Sequence, residues 1–158
     1  VSKLPVYDKV FLALCEKGHE MKELTPESLR PPFAAYAHGT EIPAGWRLVR
    51  TSGQLGISVD DSIPESAYEQ ARICFGNIVE ILRAADMGPS DVAHVSAYVT
   101  DREHMAGYMR ARDEFAAGSG RLPSSTLLIV SGFTRPEFKV EVEVWGAAPP
   151  DRFGKNEA

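Results

Sequence analysis

The sequence predicts an α+β domain in which a mixed β-sheet carries two helices packed on one face. Three observations predict it. Ala71, Cys74, Phe75, Ile78, Ile81, Leu82 and Ala85 recur at steps of three and four residues, the spacing of one buried helical face. Met105, Tyr108, Met109 and Phe115 share a second such face. The run Lys139-Val-Glu-Val-Glu-Val144 alternates instead with period two. It places Lys139, Glu141 and Glu143 on one side of a strand and Val140, Val142 and Val144 on the other. An order of strand, helix, strand, helix, strand, strand puts both helices on the same side of the sheet. The chain holds no third layer for the opposite face, so self-association is expected to cover it.

Taken in order, Val6 to Leu24 carries Val10, Phe11, Leu14, Cys15 and Met21 at helical intervals, with Gly18 as a break, which predicts a short helix followed by a loop. Thr25-Pro26-Glu27 reads as a further helix start that Pro31-Pro32 terminates. These features define an N-terminal helical extension, residues 1–32. The domain proper is expected over 33–147, with an early strand near Phe33, and 148–158 as a frayed tail. Trp46 to Gln54 follows the turn signal Pro43-Ala-Gly45 and reads as a strand, with Gly53 marking a bulge or a close backbone approach. Pro64 suits the first turn of the long helix, and Gly88 its stop. Val92 to Val99 is a strand, Asp101 caps the second helix, and Gly118-Ser-Gly120 ends it. Two last strands, Ser125 to Val130 and Glu137 to Trp145, flank the loop Ser131–Pro136.

Length and composition describe one domain with a real core: 158 residues, 44% hydrophobic and 25% charged. A net charge of −5 without clustered Lys and Arg argues against a partner that is read through its phosphates. The two cysteines, Cys15 and Cys74, lie far apart, and Cys74 falls on the apolar helix face, so a buried thiol is expected rather than a disulfide. The four histidines (His19, His38, His94 and His104) have no metal-ligand spacing, and no metal is expected. No apolar run is long enough to span a bilayer and no signal-peptide pattern opens the sequence, so the expected compartment is a reducing cytoplasm. The charged face of Lys139–Val144 has two readings. One is plain solvation; the other is a carboxylate presented to a pocket.

Four pieces then carry a resemblance. They are Thr51-Ser-Gly-Gln-Leu55, the helix from Gln70-Ala-Arg through Phe75-Gly-Asn-Ile to Ile81-Leu-Arg-Ala-Ala85, the strand Ala97-Tyr-Val-Thr-Asp101, and Lys139-Val-Glu-Val-Glu143. In this order and spacing the chain resembles the Rid (YjgF/RidA-type) proteins over about Phe33 to Ala147. The resemblance implies a chorismate-mutase-like (YjgF-type) fold, a homotrimer, and sites in clefts between subunits. It implies cofactor-free hydrolysis of reactive imines and enamines to a carbonyl compound and ammonia. By position it assigns Tyr36 to the pocket wall and Gly53 to a backbone facing the cleft. Glu141 becomes the carboxylate that handles the attacking water, a role that one carboxyl of raised pKa fills by taking and returning a proton.

The departures are as informative. Active deaminases of the family carry an arginine just after the proline that opens the penultimate strand, where it grips a substrate carboxylate. Here the run is Arg121-Leu-Pro-Ser-Ser-Thr126, and Ser125 stands in that place. A family asparagine on the second helix is replaced by Met109. Three outcomes stay open: a different substrate, met by Ser125 or Thr126 as neutral donors; a cation brought from elsewhere, with Arg121 or Arg135 as candidates; or metabolite binding without turnover. Met105, Tyr108 and Met109 are expected to be core residues rather than ligand contacts. A small molecule is the expected partner, and ribonuclease activity, attached to some relatives, ranks last on the acidic charge.

Overall fold

The structure is a computed structural model that describes residues 20–150. Strands β1 (Lys22–Leu24) and β2 (Gly39–Glu41) form an antiparallel pair. The main sheet is built from β3 (Arg47–Arg50), β4 (Gln54–Leu55), β5 (Val92–Val99), β6 (Ser124–Ile129) and β7 (Val140–Ala148). Its order is β3-β7-β5-β6, with β4 also paired to β7. Strands β5 and β6 run parallel and the other pairs antiparallel, so the sheet is mixed. Helices α1 (Ala67–Ala84) and α2 (Met105–Ala116) pack together on one face. This is the architecture expected from the sequence.

The core lies between that face and the helices. Ala71, Cys74, Ile78 and Leu82 of α1 are fully buried against Val140, Val142 and Val144 of β7 and Val95 and Val99 of β5. Burial of the Cys74 thiol pushes its pKa up to about 12, so it stays protonated and inert. Gln70 is buried too, but its amide is satisfied: Nε2 donates to the Pro64 and Glu137 carbonyls, and Oε1 accepts from the Lys139 N–H. Those bonds tie the start of α1 to the start of β7.

Several local expectations shift. The helix starts at Ala67, so Pro64 lies before it and serves as an acceptor for Gln70. It stops ahead of Gly88: Asp86 takes φ +55°, and the Asp86 and Met87 amides return to the Arg83 and Leu82 carbonyls. That is a Schellman ending with Asp in the left-handed position, which Asp tolerates better than most residues. Asp101 caps a short 3-10 turn, Arg102–His104, that precedes α2. No strand forms near Phe33; the early strand is β2, and Ala37 makes only an isolated parallel bridge to Ser124. Lys22–Leu24 is a strand where a loop was expected, and no helix starts at Thr25. Ala147 and Ala148 are fully buried in β7 rather than frayed. The expected helix over Val6 onward, with Cys15, lies outside the described residues. Among those described, no helix is long and apolar enough to cross a membrane.

The face away from the helices is open. It exposes Leu48 (55%), Leu128 (51%) and Trp145 (38%) beside Arg50 and Glu143.

Candidate functional site

Strand β7 divides its side chains between the two faces. With Val140, Val142 and Val144 directed to the helices, Glu141 and Glu143 point to the open face. Register extends that face across the sheet: Tyr98 pairs with Glu141, Ser96 with Glu143, and Ser96 with Thr126. Glu143 is held by Arg50 Nη2 and by the Tyr98 hydroxyl, each donating at 3.3 Å. Glu141 is half-buried and makes no such pair. Burial first, and the neighbouring Glu143 charge second, raise its pKa above the ordinary carboxyl value. Gly53 lies directly against it: a Cβ on Gly53 would stand 2.6 Å from the Glu141 carboxyl carbon and 2.9 Å from Cγ. The space that the carboxylate occupies exists because Gly53 has no side chain. Thr51 fixes this pairing, its hydroxyl accepting from the Val144 N–H and its own N–H donating to the Val144 carbonyl.

A second group of residues gathers on the helix side of the sheet edge. Ser125 and Leu127 pair with the buried Val95 and Ala97, so they share the helix face. They line a cleft of about 220 Å³ with Phe33, Ala34, Tyr36, Met105, Met109 and Arg112. Tyr36 reaches this place because the Ala37 N–H bonds the Pro123 carbonyl and Thr40 Oγ1 ties β2 to β5 and β6. Its ring meets Phe33 and His38 edge-on, at 5.8 and 5.9 Å between centroids. Tyr108 lies deeper. Its hydroxyl is buried without a hydrogen bond of ordinary geometry among the described residues. Desolvation pushes its pKa up to about 12, with the Arg112 charge and the Ser125 side chain acting the other way.

The sequence profile of the family described as Endoribonuclease L-PSP matches residues 27–148. The protein belongs to this family, the Rid (YjgF) proteins. A Rid protein of unknown function, YyfB from Yersinia pestis, superposes with a TM-score of 0.71 at 22% identity, covering 80% of this chain and 97% of that one. The Escherichia coli YjgF product gives 0.59 at 21% identity, over 79% and 97%. E. coli TdcF with bound serine gives 0.59 at 23% identity, over 77% and 91%. No curated protein matches significantly.

Within this Rid-family fold the six residues singled out from the sequence fall into three places. Glu141 and Gly53 meet on the open face, and Thr126 shares that face. Tyr36 and Ser125 meet in the helix-side cleft. Arg121 joins neither: Nε donates to the Ser90 carbonyl at 2.9 Å and Nη2 to the Val92 carbonyl at 2.8 Å, tying the loop after α2 to the start of β5. Arg135 is exposed, stacked over Phe138 and 4.0 Å from Glu137. Met105 and Met109, expected in the core, wall the cleft as well as packing against the core.

The cation in the cleft is Arg112, which the sequence reading passed over. It follows Met105, Tyr108 and Met109 at i+7, i+4 and i+3 and precedes Phe115 by three, so it lies within the same helical stripe. A basic residue inside an apolar stripe was the available signal. Among the described residues no group of three or more His, Cys, Asp or Glu side chains converges in a way that would hold a metal.

Proposed function

We propose that the protein hydrolyses small reactive imines or enamines, with Glu141 activating water, in sites completed between copies of the chain. The observation that carries this reading is Glu141: a half-buried carboxyl of raised pKa, without a hydrogen-bond or ionic partner among the described residues, beside Gly53, while its neighbour Glu143 is doubly bonded. A carboxyl of raised pKa returns a proton more readily than an ordinary carboxylate does. Water adds to the electrophilic carbon while Glu141 takes its proton. That proton goes to the imine nitrogen, giving a carbinolamine; the hydroxyl proton then passes through Glu141 to the same nitrogen, the C–N bond breaks as C=O forms, and ammonia leaves. No redox step is involved.

The carboxylate and the Tyr36–Ser125 cleft belong to opposite faces of one sheet, so one copy alone does not bring them together. An open face carrying Leu48, Leu128 and Trp145 supports association, and a trimer is the assembly the family resemblance implies. A neighbour docked there would set its own cleft opposite Glu141. TdcF, with its bound serine, supports a small amino-acid-like ligand.

The test is ammonia release from freshly generated imines by wild type and Glu141→Gln. Loss of turnover in the variant is expected, and equal rates would remove Glu141 from the chemistry. Ser125 favours one second reading, a metabolite-binding assembly without turnover, which predicts ligand binding with no ammonia from either protein.

A further inference from the structure

We infer that Arg112 of α2 is the specificity-determining cation of the cleft, and that the site takes small molecules bearing a carboxylate. The inference deepens the function proposed above and rests on its placement of the substrate in this cleft. It assigns the charge to a helix residue rather than to the strand position that Ser125 occupies.

Arg112 is 5% exposed, a rare burial for a guanidinium. Its one ionic partner is the adjacent Asp113, a half-exposed carboxylate that receives both Nε at 3.0 Å and Nη2 at 2.7 Å on the single oxygen Oδ1. Two of its five N–H donors are thus met, both by one acceptor atom, and Nη1 has no hydrogen-bond partner among the described residues. Burying a guanidinium costs free energy unless its donors are satisfied, and Asp113, wet on its outer side, satisfies them only in part.

The surroundings point the same way. Among the described residues the cleft contains no carboxylate to complete the pairing: its other walls are Phe33, Ala34, Tyr36, Met105, Met109, Leu127 and Ser125. Deeper in the core lies the Tyr108 hydroxyl, fully buried, with the Arg112 charge and the Ser125 side chain near it. A guanidinium edge and a serine hydroxyl lining one apolar cleft form a donor-rich end without an anion of its own among the described residues. An arriving carboxylate meets the fixed fork of Arg112, which suits two oxygens, with Ser125 as a third donor. A cleft of about 220 Å³ limits the ligand to a few carbons beyond that group.

The experiment uses the full chain with pyruvate and its neutral counterpart pyruvamide, titrated by calorimetry or by NMR shifts. Pyruvate is expected to bind wild type at least about tenfold more tightly than pyruvamide, the value of charge-assisted hydrogen bonds. Arg112→Gln is expected to lose that preference and Arg112→Lys to keep part of it. Ser125→Glu, which places a carboxylate in the same cleft without removing Arg112, should abolish pyruvate binding in a protein that still melts cooperatively. It decides the matter should Arg112→Gln fail to fold. Equal binding of pyruvate by wild type and Arg112→Gln or Ser125→Glu would overturn the inference, as would equal affinity for the two probes or no binding of pyruvate. Pyruvate binding that depends on Arg112, in a protein that releases no ammonia from imines, would sustain the inference and end the hydrolase reading.

Discussion

Gly53 and Glu141 are in such close contact that a single methyl group on the glycine would overlap the carboxyl group of the glutamate. Gly53 does not carry a left-handed backbone, so its role is space and not conformational freedom. Gly53→Ala should therefore fold, because the atoms in the way are the far end of a flexible side chain. It should also displace the carboxylate by about an ångström, a shift that typically costs on the order of a hundredfold in rate. The expected result is turnover reduced by about that factor, with stability changed by less than about 1 kcal/mol. Imine hydrolysis beside a thermal melt checks both halves.

The second cause of the raised Glu141 pKa is the charge on Glu143. If Glu141 works as the base, activity falls as pH drops through its pKa. Glu143→Gln removes the like charge and leaves desolvation in place. The acid limb of the pH–rate profile should move to lower pH, while remaining above the ordinary carboxyl value. A limb that stays where it was would mean that another group controls it.

Stability carries the same signature. The folded pKa of Glu141 lies above its unfolded value, so the native state binds more protons in the window that opens near the ordinary value of 4.5. Unfolding free energy from this group therefore falls as pH rises through that window. Glu141→Gln should melt higher than wild type at neutral pH and converge with it in acid. The gain is small in one copy, since Glu141 is only half-buried, and larger where an assembly dries the carboxyl further. Melts across pH 4 to 8 measure it.

How much of this was legible in the sequence follows from what periodicity encodes. The face of α1 from Ala71 to Leu82 and the alternation of Val140, Val142 and Val144 both record burial, and both appear as expected. Turns were less legible, because local chemistry allows substitutes: Asp86 did what Gly88 was expected to do. The tail misled because alanines at 147 and 148 look featureless, yet small residues are what a buried strand end admits. Arg121 misled because a guanidinium near Pro123 has carbonyls within reach that spacing does not reveal. Arg112 escaped for the opposite reason: on an apolar stripe it reads as a surface charge until the packing of α2 against β6 is known.

The division of the candidate site between two faces makes a prediction about mixtures. Glu141→Gln damages the open face and Ser125→Glu the helix-side cleft, and neither variant alone should release ammonia. If each site joins the carboxylate of one copy to the cleft of another, co-refolding the two variants restores sites in which both contributions are wild type. For equal, random mixing that is about one site in four, whatever the number of subunits in a closed ring. Activity near a quarter of wild type should therefore appear on mixing two inactive proteins. Trp145→Asp, which charges the exposed face, should prevent the rescue and yield monomers by sedimentation. A mixture that stays inactive while forming mixed assemblies would overturn the shared site, since the opposed faces of the sheet leave no way to build it within one chain.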